Sequence, residues 1–153
     1  MDDEMPRSPK TECYCMSLRN TSNALSSLYD DALKPAGLTT RQFSLLHAIA
    51  RADDPSVSEL ARLSYLKRST LTRLLKPLIA RGLIIDKKKP GARNSMLNIT
   101  ESGMNVLDIA NPLWLNAQKQ VEDLIGDADL EVLLGISARI RDAVLSIRDD
   151  LTP

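Results

Sequence analysis

A chain of 153 residues is long enough for one domain with a real core, since chains near this length bury about 70% of their surface on folding. Its 20 basic and 20 acidic side chains give a net charge of zero, no apolar run approaches a membrane span, and the polar, acid-rich, proline-containing first ten residues are the wrong chemistry for a secretory signal. One histidine, two cysteines and 3% aromatics exclude a His-rich metal site, a disulfide framework and stacking platforms for single strands.

These bounds predict a cytoplasmic protein with free thiols, no cofactor, no metal site and no membrane partner. Residues 1–11 read as a disordered lead-in. From Glu12 to Leu33, the residues Leu18, Leu25, Leu28, Tyr29 and Leu33 recur at helical spacing, and Pro35, Ala36 and Gly37 end that helix. Thr39 then opens a shorter helix carrying Phe43, Leu45, Leu46 and Ile49, closed by Asp53, Asp54 and Pro55, which read as loop or cap rather than metal ligands. Ser56 and Glu59 have capping-box spacing ahead of Leu60, Ala61 and Leu63, so a third helix starts there. The pattern breaks at Ser64–Lys67 and restarts at Arg68, with Leu71, Leu74, Leu75 and Leu78 on one stripe and Gly82 as a stop.

After Gly82 the period changes. Leu83–Ile85 and Met96–Ile99 are short β-compatible runs flanking a polar tip, Lys87–Ser95, and together predict a hairpin. Thr100 can cap the next helix, which carries Met104, Leu107, Leu113, Trp114, Ala117, Val121 and Leu124, with a kink expected at Pro112. Beyond Gly126 and Asp127, a last helix places Leu130, Leu133, Ile140, Val144, Ile147 and Leu151 at alternating three- and four-residue steps, with Ser137 in one slot. That is a seam for another helix.

The order predicts a mostly α fold with a small β wing: a winged helix-turn-helix over residues 37–100. The flanking segments 12–36 and 101–151 are too apolar on one stripe to be covered by so small a domain, which predicts a helical dimerisation region and a homodimer.

The zero net charge conceals a split. Residues 62–93 hold ten basic residues against one acid, Asp86, a charge of +9, whereas the other 121 residues hold ten basic and nineteen acidic, a charge of −9. Blocks of opposite sign suit a molecule with one face on a polyanion and an acidic remainder. On the helix from Arg68 the leucines face inward, so Ser69, Thr70, Thr72, Arg73 and Lys76 lie opposite them or near the N-terminal end, with Lys67 just before it. Short hydroxyls approach phosphates and base edges closely, and Arg pairs with phosphate or bidentately with guanine. The hairpin tip adds Lys87, Lys88, Lys89 and Arg93, the arginine being suited to a narrow minor groove. These residues predict double-stranded DNA as the partner. A solvated basic face is the plain alternative, which the helix-turn-helix context disfavours.

The stretches Leu60-Ala61, Arg68-Ser69-Thr70-Leu71-Thr72-Arg73, Arg81-Gly82-Leu83-Ile84, Arg93 and Ile99-Thr100-Glu101-Ser102-Gly103, in that order, resemble the MarR family of bacterial transcriptional regulators. Gly37-Leu38-Thr39-Thr40-Arg41-Gln42-Phe43 matches that family's second helix, and the likeness covers roughly residues 12–150. It implies a homodimer on a palindromic operator, with repression or activation modulated by a small phenolic or aromatic effector or by an oxidant; repression is the expectation for this chain. The chain departs from the family pattern in four places. Gly91 stands where the wing usually carries an Asp that orients its Arg, Lys67 replaces a capping Asp or Ser, Ser64 occupies a commonly apolar position, and Pro77 removes a hydrogen bond to Arg73 and should bend the recognition helix.

The thiols are the second candidate site. Cys15 falls where the organic-hydroperoxide sensors of that family place their reactive cysteine, and Tyr29 matches a tyrosine those sensors use, while Arg19 and Thr40 replace two others. Arg19, one turn from Cys15, would favour the thiolate. On a helix Cys13 and Cys15 point about 200° apart, so a bridge between subunits or sulfenic acid chemistry is easier to build than a bond between them. Small interface residues without redox function are the alternative role for both thiols. His47, in an apolar helix, is expected to be packed or at an interface, with contact to an effector as the alternative. Trp114 reads as core or interface. The competing function class is a small thiol-based redox enzyme using Cys15, weakened by the single histidine and the lack of a Cys-x-x-Cys pair.

Overall fold

The computed structural model describes residues 13–52, 54–87 and 96–150, the side chains of 148–150 excepted. Its elements are α1 (Tyr14–Leu33), a 3-10 turn (Lys34–Ala36), α2 (Thr40–Arg51), α3 (Val57–Leu63), α4 (Arg68–Ala80), β1 (Ile84–Asp86), β2 (Leu97–Ile99), α5 (Glu101–Ile125) and α6 (Asp127–Asp150). This is the mostly α, winged helix-turn-helix architecture expected from the sequence. Among the described residues no helix is long and apolar enough to cross a membrane. The chain divides into two compact units, one ending at Trp114 and one beginning at Leu115.

Several boundaries in the first unit have a local cause. Gly37, with φ 65°, ends the 3-10 turn and returns its N–H to Lys34 O at 2.9 Å. The helices α2 and α3 both begin with complete capping boxes, Thr39 with Gln42 and Ser56 with Glu59. Such reciprocal pairs satisfy two of the backbone donors that every helix start leaves open. At the end of α4, Gly82 (φ 68°) donates to Ile79 O at 2.9 Å and Leu83 to Leu78 O at 3.0 Å. This is a Schellman motif, and the buried pair Leu78 and Leu83 supplies its apolar contact.

The hairpin pairs Ile84 with Ile99, Ile85 with Asn98 and Asp86 with Leu97. A bridge between Ser56 and Met96 and a bond from Leu97 N–H to Pro55 O at 3.0 Å stitch it to the α2–α3 loop. The hairpin therefore leaves the domain from a fixed base. Thr100 caps α5: its hydroxyl oxygen accepts from Gly103 N–H at 3.0 Å and its hydroxyl donates to Gly82 O at 2.6 Å.

The core of this unit joins Leu33, Leu46, Ile49, Leu60, Leu71, Leu78, Ile84 and Leu97, all at most 2% exposed. Every element from α1 to β2 contributes, so the recognition elements share one apolar foundation worth roughly 1.5–3 kcal/mol per buried side chain. The single apolar stripe expected on α4 holds for Leu71, Leu75 and Leu78, which are buried, while Leu74 is half-buried. The helix runs through Pro77, and α5 likewise continues past Pro112.

In the second unit, Ala117 and Val121 are buried. The expected seam on α6 is only half covered at Leu130, Leu133 and Ser137, and Ile140, Val144 and Ile147 are exposed. Leu151 lies outside the described residues.

Candidate nucleic-acid interface

The turn between α3 and α4 fixes how the fourth helix is presented. Tyr65 takes the left-handed conformation (φ 55°), Leu66 N–H donates to Ala61 O at 3.0 Å, and the Ser64 hydroxyl and N–H both reach Leu60 O. The hydroxyl explains why a polar residue is tolerated at position 64: it satisfies itself on the preceding turn.

Burial of Leu71, Leu75 and Leu78 leaves the opposite face of α4 in solvent. Lys67, Arg68, Ser69, Thr72, Arg73 and Lys76 are exposed and Thr70 is half-buried. The Thr72 hydroxyl donates to Arg68 O at 2.9 Å, so its oxygen remains an acceptor and its proton is already committed. Among the described residues, Lys67, Arg68, Arg73 and Lys76 have no acidic partner. Unlike Thr39 and Ser56, Lys67 gives its helix no side-chain cap. The first N–H groups of α4 thus lack the acceptor that the other two helices carry, and an anion could supply it.

Lys87 follows β1 at the hairpin stem and is exposed, with its ammonium 3.6 Å from the Asp54 carboxylate. Lys88, Lys89 and Arg93 lie outside the described residues. Two residues that sequence reasoning did not single out for the site shape it. Asp54 holds the stem, and Arg81 donates from Nη1 to Gly37 O at 2.7 Å, tying the end of α4 to the start of the α2 segment. Asp54 offered only a charge in a turn, which is too common to read, and Arg81 stood in the motif Arg81-Gly82-Leu83-Ile84 with nothing to point to Gly37 as its partner.

The thiol and effector candidates are dispersed. Cys13, Cys15 and Arg19 are exposed, and Tyr29 and His47 are half-buried. The helix expected from about Glu12, a residue outside the described ones, begins at Tyr14, and Cys13 precedes it as the N-cap with ψ 112°. The 200° separation argued from helix geometry therefore does not apply to this pair, because only Cys15 is on the helix. His47 Nε2 lies 2.7 Å from Asn111 Oδ1, and its ring meets Phe43 edge-on at 4.6 Å. Phe43 also stacks on Trp114 at 5.8 Å. His47 and Trp114 thus form part of an aromatic cluster joining α2 to α5, packed in the way expected of both.

Helices α2 to α4, a hairpin tied to the α2–α3 loop and a cationic, acid-free outer face on α4 define a winged helix-turn-helix protein. The chain belongs to the MarR family, whose family model matches residues 36–93. It is 35% identical to the Mycobacterium tuberculosis transcriptional regulator MosR, solved in complex with DNA, with a TM-score of 0.80 over 90% of this chain and 99% of that one. It is 33% identical over 93 residues to the HTH-type transcriptional regulator SarZ of Staphylococcus haemolyticus, a match spanning 60% of this chain and 63% of that protein's length. A mutant MarR from E. coli, complexed with operator DNA, shares the fold at 18% identity and a TM-score of 0.74.

Proposed function

We propose that the protein is a sequence-specific, double-stranded DNA-binding transcriptional regulator, a repressor acting as a homodimer on a palindromic operator in the cytoplasm. The observation that carries this reading is the outer face of α4, where Lys67, Arg68, Arg73 and Lys76 have no acidic partner among the described residues and stand beside a helix start without a side-chain cap. Cations so placed suit phosphate, and the hydroxyls of Ser69, Thr70 and Thr72 suit phosphate oxygens and base edges. Lys87 adds an exposed cation at the hairpin stem, and Lys88, Lys89 and Arg93, which follow it in the sequence outside the described residues, are the remaining candidates for DNA contact. The DNA complexes described for MosR and for E. coli MarR support the partner class.

The exposed apolar positions of α6, Ile140, Val144 and Ile147 among them, support a dimer in which a second copy covers them. Segments 12–36 and 101–151 form its dimerisation region and 37–100 its DNA-reading region. Regulation enters by population shift: a small aromatic or phenolic effector, or oxidation of Cys15, changes the spacing of the two recognition helices so that both no longer fit one operator. Two exposed thiols, with Cys13 already outside the helix, support the oxidant branch. Arg19, Tyr29 and His47 are the accompanying candidates.

The test is a titration onto genomic DNA fragments at several salt concentrations. A slope of several units in log affinity against log salt, with a protected palindrome, supports the reading, and salt-insensitive or absent binding overturns it. Arg93→Ala weakens binding while leaving the fold intact. Peroxide added to the wild type lowers affinity and leaves Cys15→Ser unaffected; equal affinity with and without oxidant removes the thiol branch.

A further inference from the structure

The short loop between α2 and α3 carries a residue with an unusual backbone and a demanding set of contacts. Asp54 has φ 48°, a left-handed conformation that L side chains seldom adopt, although Asp and Asn tolerate it better than most. Its Oδ1 accepts a hydrogen bond from Asn98 Nδ2 at 2.6 Å and lies 3.6 Å from Lys87 Nζ. Asn98 is the middle residue of β2, and Lys87 immediately follows β1. One carboxylate therefore grips both strands of the hairpin, next to the backbone bond from Leu97 to Pro55. Of the DNA-facing cations named above that the structure describes, Lys87 alone is held by an acid.

We propose that Asp54 is a specificity-determining residue: it fixes the hairpin stem through Asn98 and withholds Lys87 from DNA unless a phosphate sits in the operator register. The inference rests on the DNA-binding reading above. An ion pair this open to solvent is weak and readily exchanged. On the operator, base contacts from α4 lock the register, and a phosphate held close to Lys87 displaces Asp54. On random duplex the register wanders, the averaged pull on Lys87 is weaker, and Asp54 keeps it. Asp54 thereby penalises random sequence more than operator. Phosphate contacts carry no sequence information of their own, so a local competitor for one of them is a direct way to add some.

Asp54→Asn and Asp54→Gly separate the two roles. Asn keeps the left-handed backbone and an acceptor for Asn98 but removes the charge; Gly keeps the backbone and removes both. Affinity is measured for random duplex and for the tightest footprinted sequence across a salt series, alongside amide exchange at Leu97 in the free protein. With Asp54→Asn, the random-duplex slope steepens by about one unit, the increment for one more phosphate neutralised. The slope on the footprinted sequence stays the same, and the ratio of the two affinities falls several-fold. In a Lys87→Ala background the same substitution leaves the random-duplex slope unchanged. Asp54→Gly speeds exchange at Leu97, and Asp54→Asn does not. An unchanged random-duplex slope, or equal steepening without Lys87, overturns the withholding role, and unaltered Leu97 exchange in Asp54→Gly overturns the anchoring role. Wild-type protein that binds neither duplex in a salt-dependent way fails the DNA-binding reading itself, a result distinct from all of these.

Discussion

The carboxylate of Asp30, near the end of α1, accepts two hydrogen bonds from Thr40 at the first position of α2: one from the backbone N–H and one from the hydroxyl, each 2.6 Å. It adds a third element to a helix start already capped by Thr39 and Gln42. Thr40 stands where the resemblance places one of the sensor tyrosines, and the structure shows what it does instead. It joins the first helix to the helix on which the core is built, ten residues further along the chain.

Asp30→Ala removes the acceptor of the half-buried Thr40 N–H and leaves the hydroxyl only its longer bond to Ser26 O at 3.5 Å, a loss of about 1–3 kcal/mol for bonds to a charged group. Asp30→Asn keeps an acceptor oxygen and loses less. Urea unfolding of both variants checks the order. Equal stability of Asp30→Ala and the wild type would show that water replaces the carboxylate at no cost.

The α3 capping box gives the fold a pH dependence of defined sign. Hydrogen bonds from the Ser56 backbone and side chain hold the Glu59 carboxyl below its usual range, with a smaller contribution from the Arg62 charge. The folded state thus binds this proton less readily than the unfolded chain. The stabilisation is fully present above the ordinary carboxylate value and is lost as pH falls through the depressed one. Glu59→Gln retains an acceptor for Ser56 N–H without a titrating group. Its urea midpoint should fall less than the wild type's as pH drops below the ordinary carboxylate range, the two curves converging once the Glu59 carboxyl is protonated in the folded state.

The helices and hairpin were legible because their signals are local. Leu71, Leu75 and Leu78 announce a buried stripe by spacing alone, and Ser56-x-x-Glu59 and Gly82 mark ends that the structure closes as read. What escaped depends on residues far apart in sequence. Asp54 reaches Asn98 across 44 positions, and Arg81 reaches Gly37 across the same separation. Asp54 carries no pattern, since any surface acid looks alike before the chain has folded, and the motif that contains Arg81 says nothing of the carbonyl it reaches. The thiol geometry failed for a smaller reason. A helix start displaced to Tyr14 puts Cys13 outside the helix, and boundaries are where periodicity is least informative. The cationic face of α4 followed from the leucine stripe opposite it, but the pairing of Lys87 with Asp54 depends on how the folded chain brings the α2–α3 loop to the hairpin.

Gly103 belongs to a motif that resembles the family, and the fold gives that glycine a steric reason. A Cβ there would overlap the carbonyl oxygen of Leu83 and come within 2.6 Å of Ile99 Cγ1. Leu83 O already accepts from Thr100 N–H at 3.0 Å, so it cannot retreat without opening the junction of hairpin and α5. Alanine would gain up to about 1 kcal/mol of helix propensity, but forced overpacking costs about 1–3 kcal/mol, and the lost bond adds to it. Gly103→Ala is therefore destabilising. Gly82→Ala meets nothing within 4 Å and is opposed only by its left-handed backbone, at about 1–2 kcal/mol. Thermal unfolding of the two variants should show both losses, the larger at Gly103. Greater stability in Gly103→Ala would mean that the junction is looser than drawn.

The apolar face of α6 makes the last prediction. Ile140, Val144 and Ile147 are 41%, 49% and 58% exposed, at a spacing that places them along one side of the helix. Soluble chains rarely leave such a row uncovered, and the proposed second copy would bury it. Replacing Ile140 and Val144 together by Glu puts two like charges into that interface and forfeits the burial, roughly 1.5–3 kcal/mol for each apolar side chain. In a symmetric dimer each substitution occurs twice, so dissociation becomes easier by several powers of ten. Sedimentation should show the variant as a monomer at concentrations where the wild type is dimeric, with the α2–α4 fold unchanged by circular dichroism. Its affinity for a single half-site should survive while cooperative protection of a palindrome disappears. A variant that sediments like the wild type would remove α6 from the dimer contact, because exposed positions facing only water tolerate glutamate without consequence.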